Sequence, residues 1–121
     1  MRDGVKLATD VYIPPGKTTQ PHGAIFIRTP YNKNGLVLTG SDWATNGWPT
    51  IVQDMRGRYA SEGIDTVFRN DHTEGFDTLT WIANQTWSNG KIATFGGSAL
   101  GIIQYFMAGS NPPNLACQYI Q

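Results

Sequence analysis

The chain has 121 residues, of which 40% are hydrophobic, so it has the size of one domain and enough apolar sequence for a buried core. Nine basic residues balance nine acidic residues, and the net charge is zero. This composition indicates neither a nucleic-acid partner nor binding to an anionic membrane, and no apolar run approaches the roughly 20 residues of a membrane-spanning helix.

The sequence opens with a hairpin signal. Asp3-Gly4 is a two-residue turn pair, and the segment after it, VKLATDVYI (residues 5–13), alternates in strand fashion. A hairpin needs a strand on each side of its turn, but here the chain starts at the turn. We therefore expect that a first strand is missing.

Two short apolar runs predict buried strands in the first half of the chain. They are GAIFIRTPY (residues 23–31) and PTIVQDMRGR (residues 49–58), the second with a strand that ends near Asp54. Between them, SDWATNG predicts a short helix with Ser41 or Asp42 as its cap and Gly47 as its stop.

The clearest helix is DHTEGFDTLTWIANQ, which follows a long polar loop over residues 55–70. Its apolar residues share one face at helical spacing: Phe76, Leu79, Ile82 and Ala83. Acidic residues occupy the early turns, where the helix dipole favours anions. These are Asp71, Glu74 and Asp77.

The chain then continues with the strand KIATF, the helix SALGIIQYFMAG and the start of a further strand, LACQYIQ. Strands that alternate with helices predict an α/β fold with a mostly parallel sheet and flanking helices.

The stretch TFGGSALG has the order of strand, sharp turn and helix that a nucleophile elbow requires. Gly96 and Gly97 precede Ser98, and Gly101 follows it, so small residues surround the serine in a tight turn. Amides at the start of the helix, from Ala99 onward, would face the serine oxygen and could bind an oxyanion. The strict G-x-S-x-G pattern is not met, because its second glycine comes one place late. An ordinary glycine-rich turn of an α/β domain therefore remains an alternative.

Linked motifs along nearly the whole chain resemble one family of serine hydrolases. The motifs are MRDGVKLATDVYIP, IFIRTPYNK, VQDMRGRYASEG and GFDTLTWIANQTWSNGKIATFGGSALG. The family includes cocaine esterase, the α-amino-acid ester hydrolases and the X-prolyl dipeptidyl-peptidases, and its elbow pattern is G-x-S-Y-x-G. The resemblance implies that residues 1–121 are part of an α/β-hydrolase catalytic domain. It also implies cleavage of small esters, amides or peptides through an acyl-enzyme, without a cofactor.

The resemblance assigns roles to three residues. It implies that Ser98 is the nucleophile, that the backbone N–H of Ala99 is one oxyanion donor and that the phenol of Tyr31 is the other. Family members usually have tyrosine directly after the nucleophile, where this chain has Ala99. That change keeps the backbone donor but could alter a pocket wall. From the residues alone, Tyr31 fits a loop tyrosine that packs on a neighbouring strand.

A serine nucleophile needs a base, and in α/β-hydrolases the acid and the histidine follow the serine along the chain. From Ile92 to Gln121 the sequence contains no Asp, Glu, Lys, Arg or His. We therefore expect a chain that is truncated at both ends, with the acid and the base in absent sequence. His72, beside acidic residues, could complete a rewired triad, although a solvated histidine at a helix start is the simpler interpretation.

Four charged residues at the start of the long loop region could include catalytic carboxylates, although an ion-pair network of the loop is favoured: Asp54, Arg56, Arg58 and Glu62. The single cysteine, Cys117, excludes an internal disulfide. One cysteine and two distant histidines offer no metal-ligand spacing. The opening segment is too polar for a secretory signal, and the compartment is left open.

The alternative to a hydrolase is a catalytically incompetent segment that acts only as an interaction module. The C-terminal part of the chain, which has no charged residue and no triad acid or histidine, favours this alternative. Separately, an unpaired, apolar sheet edge should recruit other chains. We expect that edge at Ile92–Phe95 and at the strand that begins at Leu115, with self-association as its consequence.

Overall fold

The structure is a computed structural model that describes residues 1–16 and 21–121. These residues form five strands, three α-helices and one 3-10 helix. In chain order they are β1 (Thr9–Tyr12), β2 (His22–Thr29), the 3-10 helix (Lys33–Leu36), α1 (Val37–Thr45), β3 (Thr50–Asp54), α2 (Asp71–Ala83), β4 (Ser88–Gly96), α3 (Ala99–Gly109) and β5 (Leu115–Ile120).

The five strands form one sheet in the order β1-β3-β2-β4-β5. The pairs β2–β3, β2–β4 and β4–β5 are parallel, and only β1 runs antiparallel to its neighbour β3. The mostly parallel sheet predicted from the sequence is confirmed. Because parallel strands end at the same edge, the residues that follow β2, β3 and β4 are brought together there.

Helices cover both faces of the sheet. On one face, Phe26 and Ile51 pack with Leu79 of α2 and Ile103 of α3, and all four side chains are fully buried. Each such side chain contributes about 1.5–3 kcal/mol through burial of its apolar surface. On the other face, Ile27 packs in a second cluster with residues that include Trp43 of α1. Alternating residues of β2 therefore supply both layers.

The structure corrects the predicted start of α1. A 3-10 helix runs directly into α1, which begins at Val37, so Ser41 and Asp42 lie inside the helix and do not cap it. Gly47 ends the helix as predicted and has a φ of +94°. The predicted strand KIATF (residues 91–95) is also too short, since β4 already begins at Ser88.

The expected position of the sheet edge is partly wrong. The strand that contains Ile92–Phe95 is β4, which lies between β2 and β5 and is paired on both sides. The strand that begins at Leu115 is β5, which does lie at an edge. On the neighbouring α3, Ile102 and Tyr105 are exposed.

None of the helices in the described residues combines the length and the apolar character that crossing a membrane would require.

Candidate active site

Ser98 lies at the turn between β4 and α3, beyond the carboxyl end of the strand. Its backbone has φ of +54° and ψ of −127°, a region that non-glycine residues seldom adopt. The Ser98 carbonyl accepts from the amides of Gly101 at 3.0 Å and Ile102 at 3.1 Å, so the first turn of α3 holds this conformation. The side chain itself is exposed. The turn thus presents a hydroxyl at the edge of the sheet on a fixed backbone.

The three glycines around Ser98 lie where a side chain would be crowded. A Cβ atom at Gly96 would lie 2.8 Å from Cδ2 of Leu100, and Gly96 also has a φ of +145°. At Gly97 a Cβ would lie 3.0 Å from Cβ of Gln121. At Gly101 it would lie 3.1 Å from Cγ2 of Ile120. Close packing against Leu100 and the end of β5 therefore accounts for the glycine spacing in the sequence.

The start of α3 provides backbone donors beside Ser98. The amide of Leu100 donates to the Gly97 carbonyl at 3.0 Å, and that of Gly101 donates to the Ser98 carbonyl. The amide of Ala99 is the first of the helix and has no acceptor within it. The amino end of a helix also carries a partial positive charge. Ala99 is therefore placed to donate to an anionic oxygen bound at this end of α3.

Tyr31 lies two residues after the end of β2, at the same edge of the sheet as Ser98. It is 58% exposed, which does not fit a tyrosine packed on a neighbouring strand. Its amide donates to Thr29 Oγ1 at 3.0 Å, while its phenol has no hydrogen-bond partner among the described residues. The oxyanion role of Tyr31 stays a prediction.

His72 does not approach the serine turn. It is exposed at the start of α2, and its Cδ2 lies 3.6 Å from where a Cβ of Gly109 would be. Gly109 ends α3 and Ser98 precedes its start, so the two ends are about 15 Å apart at 1.5 Å per residue. A rewired triad with His72 is not formed. Among the described residues no group of His, Cys, Asp and Glu side chains could hold a metal ion.

A buried charged cluster lies beneath the loop that follows β3. Arg28 of β2 is 2% exposed, and its Nε donates to Asp71 Oδ1 at 2.6 Å. Its other nitrogens donate to Gln53 Oε1 at 2.6 Å and to Glu74. Burial raises the pKa of Asp71, although the Arg28 charge opposes that shift. We call Arg28, Asp71, Glu74 and Arg56, which also pairs with Glu74, the Arg28 cluster.

The sequence interpretation missed this cluster. Asp71 and Glu74 were expected to serve the helix dipole, but both are buried on the face of α2 that packs on the sheet. The signal was an arginine inside the apolar run GAIFIRTPY, because a buried charge requires a partner.

The predicted ion-pair network of the loop is present in part, since Arg58 pairs with Asp65 within the loop while the other three residues bond to groups outside it. Asp54 Oδ1 accepts from the Lys33 amide at 2.7 Å, and Glu62 Oε2 accepts from the Lys6 amide at 3.1 Å. Arg56 pairs with Glu74 and Asp3, and Arg58 pairs with Asp65. These groups fix loops and are not arranged as a pair of catalytic carboxylates.

Known proteins support the likeness seen in the motifs. Cocaine esterase of Rhodococcus sp. is 38% identical over an alignment of 112 residues, and the match covers 87% of this chain and 19% of that protein. An α-amino acid ester hydrolase structure superposes with a TM-score of 0.84 at 30% identity, over 98% of this chain and 23% of the other. A CocE/NonD family hydrolase from Staphylococcus aureus superposes with a TM-score of 0.84 at 25% identity, over 98% of this chain and 25% of that one.

The chain spans about a fifth of the length of the curated relatives it matches, with 19% of cocaine esterase covered. The sequence profile of the family described as X-Pro dipeptidyl-peptidase (S15 family) matches residues 3–121. The sheet and the helices of this chain, like its structural relatives, are those of α/β-hydrolases. The chain therefore belongs to the S15 family of X-Pro dipeptidyl-peptidases, as the resemblance of its motifs implied.

Proposed function

We propose that Ser98 is the nucleophile of a serine hydrolase that cleaves carboxylic esters or amides. The observation that carries this proposal is the backbone of Ser98, which has an unusual φ of +54° and presents an exposed hydroxyl ahead of a helix. Such strain persists where the surroundings impose it, and it concentrates at functional sites. An ordinary turn between a strand and a helix does not require a strained backbone at this position.

In the proposed reaction, Ser98 Oγ bonds to the substrate carbonyl carbon while its proton passes to a base. The carbonyl oxygen becomes an oxyanion, which accepts hydrogen bonds from the Ala99 amide and the Tyr31 phenol. Collapse of this intermediate breaks the bond to the leaving group, which takes the proton from the base. Water then attacks the acyl-serine in the same way, and the acid product and free Ser98 are released.

The base is not provided by the histidines of this sequence. His72 lies at the far end of α3, and His22 is exposed at the start of β2, away from the edge where Ser98 lies. The proposal therefore requires a histidine from outside residues 1–121 in the full-length protein that contains this sequence.

The names of similar proteins support a substrate class. They refer to an esterase, to a hydrolase of α-amino acid esters and to a dipeptidyl-peptidase, whose substrates all contain an acyl group attached to oxygen or nitrogen. We propose small esters or peptides of this kind as substrates.

A serine-directed fluorophosphonate tests the proposal, because it reacts readily with an activated serine and not with an ordinary one. The full-length protein should be labelled, and Ser98→Ala should remove the label. Ser41→Ala is the matched control, since Ser41 is an exposed serine of α1 away from the turn, and it should keep full labelling. Labelling that survives in Ser98→Ala, or a folded wild-type protein that takes no label, would contradict the proposal.

A further inference from the structure

The peptide bond between Pro30 and Tyr31 is held at both of its polar atoms. On one side, the Tyr31 amide donates to Thr29 Oγ1 at 3.0 Å. On the other side, Arg58 donates twice to the Pro30 carbonyl oxygen, from Nε at 3.2 Å and from Nη2 at 3.1 Å. Because a peptide unit is planar and rigid, contacts on both sides fix its orientation. They also fix the position of the Tyr31 Cα atom, from which the side chain leaves the backbone.

The other side of Tyr31 is held by the end of β3. Asp54 is fully buried there, and its Oδ1 accepts from the Lys33 amide at 2.7 Å. Between Tyr31 and Lys33, Asn32 has a φ of +83°, and its side chain accepts from the Asn34 amide at 3.0 Å. A non-glycine residue keeps such a conformation only where its neighbours impose it. The loop around Tyr31 is thus constrained before and after the tyrosine.

The constraint has a chemical use only if the phenol must occupy one position. The phenol has no hydrogen-bond partner among the described residues, and Tyr31 is 58% exposed. Packing therefore does little to hold the ring. A donor to an oxyanion gains most when it is already in place, because no reorganisation is then needed during the reaction.

We propose that Arg58, together with Asp54, is a positioning residue that holds Tyr31 where its phenol meets the oxyanion. This inference rests on the proposed function, in which Tyr31 is an oxyanion donor. The alternative is that Arg58 only stabilises its own loop, where it also donates to Asp65 Oδ2 at 3.3 Å. The two alternatives predict different coupling between Arg58 and the phenol of Tyr31.

A double-mutant cycle in the full-length protein separates them. Arg58→Ala should lower kcat about tenfold on an activated ester and change KM by less than about twofold, since misplacing a catalytic group costs rate more than binding. In a Tyr31→Phe background, the same change should lower kcat by less than about twofold, because the group being positioned is already absent. Asp65→Ala is the control that removes the other partner of Arg58, and it should leave kcat unchanged.

Independent, additive losses from Arg58→Ala and Tyr31→Phe would overturn this inference and leave the nucleophile assignment intact. An unchanged kcat in Tyr31→Phe would overturn both the inference and the oxyanion role of Tyr31, whereas Ser98 labelling would still report on the nucleophile.

If Arg58→Ala does not fold, Arg58→Lys can be used in the same cycle, since a lysine can make one of the two hydrogen bonds to the Pro30 carbonyl. Asp54→Asn should retain more of kcat than Asp54→Ala, because its amide oxygen can still accept from the Lys33 amide. Equal losses of kcat in the two Asp54 variants would contradict a positioning role for Asp54.

Discussion

The Ser98 turn and the Arg28 cluster differ in the exposure and the pairing of their polar groups. At the turn, the backbone is strained and the hydroxyl is exposed, and no charged residue occurs from Ile92 onward. In the cluster, Arg28 is almost fully buried and is paired with Asp71 and Glu74. The first region leaves its hydroxyl open to solvent, whereas in the second region the charged groups pair with one another.

The difference separates reactivity from stability within one sheet. Both regions lie on strands that are neighbours, since β2 carries Arg28 and β4 leads to Ser98. A change at the turn should therefore affect rate with little effect on folding, and a change in the cluster should affect folding first.

The largest effect should come from Ser98→Ala in the full-length protein. Removing the nucleophile of a serine hydrolase lowers kcat by about 10⁶-fold, because the remaining site can only bind the substrate and stabilise the oxyanion. The melting temperature should stay nearly the same, since the hydroxyl has no hydrogen-bond partner among the described residues. Steady-state kinetics on an activated ester and thermal melting of the same preparations check both parts. Substantial turnover in this variant would remove Ser98 from the mechanism.

Arg28→Met should give the opposite result. It leaves Asp71 buried without its partner and leaves Glu74 with Arg56 alone, and breaking a buried ion pair costs about 3–5 kcal/mol. Chemical denaturation should show this loss of stability, while fluorophosphonate should still label Ser98 in the fraction that remains folded. Arg69→Met, at an exposed arginine of the long loop, is the matched control and should change stability by less than about 0.5 kcal/mol.

The stability deficit of Arg28→Met should also depend on pH. Burial already raises the pKa of Asp71, and the Arg28 charge opposes that shift, so its removal should raise the pKa further. A carboxyl whose folded pKa is raised loses stability as the pH rises through that value, because only the unfolded state then ionises freely. The deficit relative to wild type should therefore be largest near about pH 7 and smaller toward about pH 4. A deficit that is constant with pH would point to lost packing of the arginine stem.

Tyr31→Phe should have a smaller effect than Ser98→Ala, and again on rate. Removing one oxyanion donor costs about 10²–10³ in kcat, or roughly 3–4 kcal/mol, with less effect on KM. A tyrosine without a role in the reaction would instead leave kcat nearly unchanged, and the melting temperature should not fall, because the exposed phenol has no hydrogen-bond partner among the described residues. A kcat that falls less than about threefold would contradict the oxyanion role of Tyr31.

The smallest effect concerns association of the 121-residue chain. The β5 edge and the exposed Ile102 and Tyr105 of α3 should promote dimers or larger assemblies when this chain is expressed alone. Light scattering over a range of concentrations measures this. A single monomeric species at high concentration would contradict the expectation, and Tyr105→Lys should reduce any association that is observed.

Local patterns explain which parts of the fold could be predicted. The Ser98 turn is encoded by glycines within a few residues, and each of them meets a close neighbour in the structure. The Arg28 cluster joins residues that are 43 apart in sequence, so no local pattern revealed it. The start of α1 was missed because the 3-10 helix before it moved Ser41 and Asp42 into the helix interior. The role assigned to Tyr31 came only from the family resemblance, since its loop is fixed by distant residues.

The most direct test of the account is to trap the acyl-enzyme. The full-length protein would be mixed with an activated ester, quenched with acid and digested, and the peptides would be analysed by mass spectrometry. We predict that the acyl group is found on Ser98, and that Ser98→Ala yields no acylated peptide. An acyl group on another side chain of the wild-type protein, or turnover without an acylated residue, would contradict the central claim that Ser98 is the nucleophile.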